Sequence, residues 1–276
     1  MNITLIKMIG ITKNFPGVVA NNNVDFDLHP SEIHSILGEN GAGKTTLMSV
    51  LAGMHQPDAG TIIVRDQTVK IRSPQDSLRL GIGMVYQHFT LIPNLTVIEN
   101  LVLGFEGGLF LNLKRAEQRL QKISAAYGLS INPERMIQDL SVSERQRTEI
   151  LKILFHKSDV LILDEPTSML SPAETEDLFH TLKSLRKAGK SVVLITHNLS
   201  EALSISDRIT IMRSGKKAAE LSGDMLRAMD AKTASNRILE VMFGAVPEPQ
   251  AWLAKKGFAD EPVLELKRVV ALNSRG

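Results

Sequence analysis

The chain contains no cysteine, which excludes a disulfide framework, a thiolate zinc site, an iron–sulfur cluster and a cysteine nucleophile, and fits a reducing compartment. It also has little net charge: 32 Lys and Arg stand against 30 Asp and Glu, a formal +2. No whole-protein field marks it as a binder of nucleic acid or of an anionic membrane, so any anion it binds must be held locally. Long apolar runs are missing as well. Stretches such as 160–163 and 192–195 fall far short of the roughly 18 consecutive apolar residues of a membrane-spanning helix. The opening MNITLIKMIGITKNFPG lacks the apolar core and small-residue cleavage site of a secretory signal and reads as a first strand. Against these absences stand 276 residues, 43% of them hydrophobic, enough for one large or two modest cores and incompatible with global disorder.

Short β-branched runs at 32–37, 61–64, 83–86, 159–163, 191–196 and 208–212 have the length and bounding residues of buried strands. Helical composition over 43–51, 174–188 and 200–204 follows several of them, which predicts an α/β domain with a mainly parallel sheet. The block 88–157 carries almost no strand signal. In it Ala116, Leu120, Ile123 and Tyr127 form an apolar stripe flanked by Lys114, Arg115, Arg119 and Lys122, which predicts either an inserted helical subdomain or helices that cover the sheet. From Lys216 the pattern weakens, and Pro247, Glu248 and Pro249 with the stretch 257–262 read as an exposed connector.

The strongest motif is Gly38-Glu39-Asn40-Gly41-Ala42-Gly43-Lys44-Thr45, which fits G-x-x-x-x-G-K-[ST] between a strand and a helix. At ordinary residue frequencies a chance match in a chain of this length is on the order of one in a hundred. The glycines let successive N–H groups turn toward phosphates, the helix N-terminus adds a favourable dipole, and Lys44 neutralises the β/γ oxygens. Thr45 supplies a hydroxyl to Mg²⁺, and Thr46 follows it in the first helical turn. The motif predicts a site for a Mg²⁺–nucleoside triphosphate.

A second motif, Asp159 to Glu165, is an apolar strand delivering two adjacent carboxylates at its C-terminal end, where ligand sites of open α/β sheets lie. Asp164 suits a Mg²⁺ shell, and Glu165 is placed to polarise a water for in-line attack on a γ-phosphate. On its own the pair also reads as solvated residues in the turn before Pro166. Further along, Ser141 and Glu144 in the run LSVSERQR form an S-x-x-E capping box that starts a helix.

That run also resembles the LSGGQ signature of ATP-binding-cassette ATPases, and the order of phosphate loop, Gln87, signature, paired carboxylates and His197 is similar to theirs. The resemblance covers roughly 4–240. It implies a P-loop NTPase fold with a mainly parallel core sheet, an N-terminal antiparallel β portion and an inserted helical subdomain at about 88–157, the whole domain spanning 1–245. It further implies that Phe15 stacks on adenine, with a place in the core as the alternative reading of that residue. Gln87 then touches Mg²⁺ and couples to a transmembrane partner, His197 contacts the γ-phosphate, and Ser141 and Ser143 grip the ATP of an opposing cassette. Two positions depart from the pattern: Val142 and Ser143 replace the paired glycines, and Ser171 stands where an aspartate usually crosses the dimer interface.

Segments 15–20 and 86–97 resemble cassettes of simple-sugar and nucleoside importers. The implied partners are transmembrane permease subunits, a second cassette as tandem half or homodimer, and indirectly a periplasmic or lipoprotein solute-binding protein. Nucleic acid is not among them, and the implied place is the cytoplasmic face of the membrane. Such cassettes usually come as two in one polypeptide. The spacing at 264–269 repeats that at 6–11, which predicts a connector over 246–262 and the first strand of a second cassette over 263–276. The competing readings are a soluble cassette of translation or DNA repair, for which no long insertion is visible, and a regulatory or truncated cassette that binds ATP but hydrolyses it weakly.

Overall fold

The computed structural model describes residues 4–103 and 113–243. Two sheets share one core. The first is antiparallel, in the order β2-β1-β4-β5, from β1 (Ile6–Phe15), β2 (Val18–Leu28), β4 (Ala59–Val64) and β5 (Gln67–Val69). The second has the order β10-β9-β3-β8-β7-β6, built from β3 (Ile33–Leu37), β6 (Ile82–Val85), β7 (Val160–Asp164), β8 (Ser191–Thr196), β9 (Arg208–Arg213) and β10 (Lys216–Leu221). Strands β9, β3, β8, β7 and β6 run parallel, and β10 closes the edge antiparallel to β9.

A parallel strand covered on both faces reads as a continuous apolar run, and β7 and β8 are such runs. Leu161, Leu163, Val192 and Leu194 pack on one face against α3 (Val97–Val102), α4 (Leu113–Tyr127), α5 (Val142–Phe155) and α6 (Pro172–Lys187). Val160, Ile162, Val193 and Ile195 pack on the other against α1 (Lys44–Leu51) and the antiparallel sheet. Ala116 and Leu120 of the α4 stripe are buried, and Ile123 and Tyr127 pack partly buried against the same cluster. The helices of the block 88–157 thus form one continuous apolar cluster with the sheet face.

The strands lie within two residues of the sequence-based expectation, and β8 matches it at both ends. Strand β2 was hidden by its polar run Asn21-Asn22-Asn23, and β5, α2 (Pro74–Arg79) and α3 are too short to show a period. The pattern beyond Lys216 continues through β10, α8 (Gly223–Ala228) and α9 (Ala231–Phe243). Its weakness has a cause: β10 is an edge strand in which Leu221 alone is fully buried. A further helix, α7 (Leu199–Ile205), follows β8. The connector and terminal strand expected over 246–276 lie outside the described residues.

Candidate nucleotide site

Four of the parallel strands end on the same edge of the sheet, and each hands a motif to it. After β3 comes the loop 38–43, after β6 Gln87, at the end of β7 Asp164 and Glu165, and after β8 His197. The C-terminal edge of an open parallel sheet is where such folds place ligands.

The loop is held from behind. Gly43 has φ +92°, and a Cβ there would lie 2.2 Å from the Ala20 carbonyl oxygen, so the position admits only glycine. A Cβ on Gly38 would lie 2.4 Å from the Met212 carbonyl oxygen. Asn21 Nδ2 donates to the Gly43 carbonyl at 3.0 Å, and the Gly215 N–H donates to that of Ala42 at 3.1 Å. Ala42 is buried, while Asn40 and Gly41 are exposed and Thr46 is half-buried. No side chain caps α1, so the N–H groups of its first turn are presented to whatever anion reaches them.

Lys44 is buried, and its Nζ donates to the carbonyls of Gly38 at 2.8 Å and Glu39 at 2.9 Å. Burial pulls its ammonium below the usual lysine range, against the opposing pull of Glu165 and Asp164. The Thr45 hydroxyl, on an exposed residue, donates to Asp164 Oδ1 at 3.0 Å. Asp164 is itself buried, and that burial pushes its carboxyl above the usual range, aided by the charge of Glu165 and resisted by the Thr45 hydrogen bond and Lys44. The pair is thus not a solvated turn. A hydroxyl and a carboxylate at this spacing are hard oxygen donors of the kind Mg²⁺ takes together with substrate phosphates, so the residues fit that ion.

Glu165 is the centre of the second half. It adopts a left-handed backbone (φ +46°), and its N–H donates to the Ile195 carbonyl at 3.0 Å. Gln87 Nε2 donates to Glu165 Oε2 at 3.2 Å, and His197 Nδ1 lies 3.0 Å from Glu165 Oε1. The structure therefore brings Lys44, Thr45, Gln87, Asp164, Glu165 and His197 into one cluster.

Three expected residues stand elsewhere. Phe15 ends β1 and is 37% exposed, with its ring edge-on to His55 at 5.2 Å and Lys13 Nζ 5.5 Å from its centre. It is not a core residue. Ser141 is the N-cap of α5 and forms the full capping box with Glu144; its hydroxyl lies 3.2 Å from that of Ser143. Ser171, at the departing position, caps α6 in a capping box of its own with Glu174.

Sequence reasoning missed Asn21, Glu149 and Glu201. Asn21 acts across 22 residues, with no local signal. Glu149 is buried in α5 and accepts from Thr90, three residues after Gln87. Glu201 had a signal: Asn198-x-x-Glu201 after a strand is a helix start with an acidic first turn.

A family model described as ABC transporter matches residues 21–168. The chain is 44% identical over 279 residues to the nucleoside import ATP-binding protein NupA of Lactococcus lactis, covering 100% of this chain and 53% of that protein. It is 51% identical over 214 residues to the guanosine import ATP-binding protein NupO of Bacillus subtilis (77% and 42% covered). To a ribose import ATP-binding protein of Rubrobacter xylanophilus it is 42% identical over 241 residues (87% and 48% covered). The chain thus spans about half the length of these curated relatives. Among solved structures, the ADP conformation of an ATP-binding cassette superposes with TM-score 0.75 at 23% identity, covering 87% of this chain and 99% of that one. A dimeric bacterial ABC transporter cassette superposes with TM-score 0.70 at 26% identity (79% and 98% covered).

Proposed function

Because the chain belongs to the ABC transporter family of ATP-binding cassettes, we propose that it binds and hydrolyses ATP to drive an importer of nucleosides or simple sugars. The observation that carries the hydrolytic part is Glu165, held between Gln87 and His197 beside the Lys44–Thr45–Asp164 pocket. The loop amides and Lys44 bind the β- and γ-phosphates. Thr45 and Asp164 would hold Mg²⁺, whose charge offsets that of the phosphate oxygens. Glu165 takes the proton of the attacking water as its oxygen bonds to the γ-phosphorus, and the bond to the β-bridging oxygen breaks to release ADP and phosphate. His197 orients Glu165 and the transferring group.

The import role rests on relatives named for importing nucleosides, guanosine and ribose. No helix among the described residues is long and apolar enough to cross a membrane. On the reading proposed here the solute crosses through permease subunits, against which this chain sits at the cytoplasmic face. Ser141 and Ser143 face the ATP of a second cassette, and a solute-binding protein delivers the cargo outside.

Glu165→Gln tests the assignment. It removes the proton acceptor but keeps the shape, so turnover is expected to fall by at least about 100-fold, with Mg²⁺–ATP binding retained. Turnover within a few-fold of the parent removes Glu165 from the mechanism.

A further inference from the structure

The catalytic pair Glu165 and His197 sits on two separate loops, one after β7 and one after β8. Neither residue lies within a helix or strand, and their 3.0 Å contact needs both loops held to a fraction of an ångström. Between the loops the backbone supplies the Glu165 N–H to Ile195 carbonyl bond. The side chain that supplies the rest is Glu201, in the first turn of α7.

Glu201 Oε2 accepts from the Thr167 hydroxyl at 2.9 Å and from the Thr196 hydroxyl at 3.0 Å. Its Oε1 accepts from Asn198 Nδ2 at 3.1 Å. Thr167 lies two residues after Glu165, and Thr196 and Asn198 flank His197. One carboxylate therefore collects three donors from both catalytic loops. Thr196 is buried, and its oxygen in turn accepts the Asn198 N–H at 2.9 Å, which extends the tether into the backbone around His197. A cavity of about 660 Å³ borders the same loops, lined among others by Thr167, Thr175, Phe179 and Glu201. On that side the loops meet open space, so a polar tether has to do what packing does elsewhere.

We infer that Glu201 is a positioning residue for ATP hydrolysis: its carboxylate clamps the loops of Glu165 and His197 together and so sets the geometry of the pair. The chemistry requires an acid. Three donors converge on two acceptor oxygens, and glutamine offers one acceptor and an NH₂ that would meet another donor. This inference rests on Glu165 and His197 acting in hydrolysis as proposed above.

The test compares Glu201→Gln, Thr167→Val, His197→Ala and the double variant Glu201→Gln/His197→Ala in single-turnover phosphate release at saturating Mg²⁺–ATP, with equilibrium ATP binding measured alongside. Glu201→Gln is expected to slow release by about 10-fold or more, with ATP affinity within about 3-fold of the parent because the phosphate loop is untouched. Thr167→Val, which removes one donor, is expected to give a smaller loss in the same direction. In the double variant Glu201→Gln should add less than about 3-fold to the His197→Ala loss, since both act through one contact. Hydrogen–deuterium exchange gives a readout independent of hydrolysis: segments 164–168 and 196–199 should exchange faster in Glu201→Gln, with β3 as protected as in the parent. Parent-like release, unchanged exchange at both segments, or losses that multiply in the double variant each overturn the inference. If the unaltered chain releases no phosphate, the hydrolytic reading fails, and exchange alone then decides whether Glu201 clamps the loops.

Discussion

Asp164 is held where a carboxylate is uncomfortable. Burial raises its pKa above that of the unfolded chain, with the Glu165 charge adding to the effect. For an acid whose folded pKa is raised, the contribution to stability is complete below the unfolded value and is lost as pH rises through the folded one. Near neutrality its charge therefore weighs against folding, as expected at a site arranged for a cation. Asn in its place would still accept from Thr45. Asp164→Asn is expected to raise stability without ligand by about 0.5–2 kcal/mol and to lose the Mg²⁺-dependent part of the stabilisation by ATP. Thermal unfolding with and without Mg²⁺–ATP checks both halves. A variant less stable than the parent, or one with an undiminished Mg²⁺ response, contradicts this account of the residue.

Among the elements, α5 joins two parts of the site. It starts at the Ser141 cap, and two turns later Glu149 turns a buried carboxylate to the loop that carries Gln87. The Thr90 N–H donates to Glu149 Oε1 at 2.5 Å, and the Thr90 hydroxyl lies 3.0 and 3.2 Å from its two oxygens. A carboxylate in an apolar layer is tolerated only when its oxygens are satisfied. Thr90→Val keeps the N–H and the shape but removes the hydroxyl, and is expected to cost about 1–3 kcal/mol in urea unfolding. A loss below about 0.5 kcal/mol would mean that the hydroxyl contributes nothing beyond solvent. The buried polar side chains are also why this helix was legible from its capping box and not from an apolar stripe: Gln146, Thr148 and Glu149 interrupt the stripe and are all buried.

At the scale of the whole molecule, the two sheets are tied by Arg208 at the start of β9. Its guanidinium bonds Asp27 Oδ2 at 2.9 Å on β2, Glu32 Oε1 at 3.2 Å and Glu220 Oε1 at 3.3 Å on β10, with the fully buried His34 Nδ1 at 3.0 Å. Burial pulls His34 below its usual range. Burial, the largest single influence, works the other way on Asp27, but the charge and hydrogen bond of Arg208 together with the neighbouring His34 and His29 hold the carboxyl low. Both shifts have one sign. The unfolded chain takes up protons that the folded chain refuses, so stability is expected to be lost as pH falls, first below about 6.5 through His34 and then below about 3.9 through Asp27. His156, also lowered by burial, shares the first limb. Unfolding free energies from urea titrations between pH 8 and 5 should therefore fall with a slope of up to about 1.4 kcal/mol per pH unit for each proton, reduced but not abolished in His34→Gln. A flat profile to pH 5 is inconsistent with a neutral His34 in the core.

The sequence alone determined whatever is local. The loop 38–45 announces itself because glycine, lysine and threonine must stand in fixed order to wrap a phosphate. Strands β7 and β8 are legible because burial on both faces demands unbroken apolar runs. Asp164 and Glu165 follow from the strand they end, and Lys44 and Thr45 from the helix they begin. Tertiary structure decided which ends meet. The order β3-β8-β7-β6 is not the order along the chain, so Gln87 reaches Glu165 across 78 residues and His197 reaches it across 32. Phe15 could be read from its sequence as core or as a ring for adenine to stack on, and only its 37% exposure in the folded chain removes the core reading. Asn21 and Glu149 were silent for the same reason. Periodicity records the backbone conformation and burial of each element, whereas a polar residue's role depends on a partner that the crossover connections of the sheet bring to it.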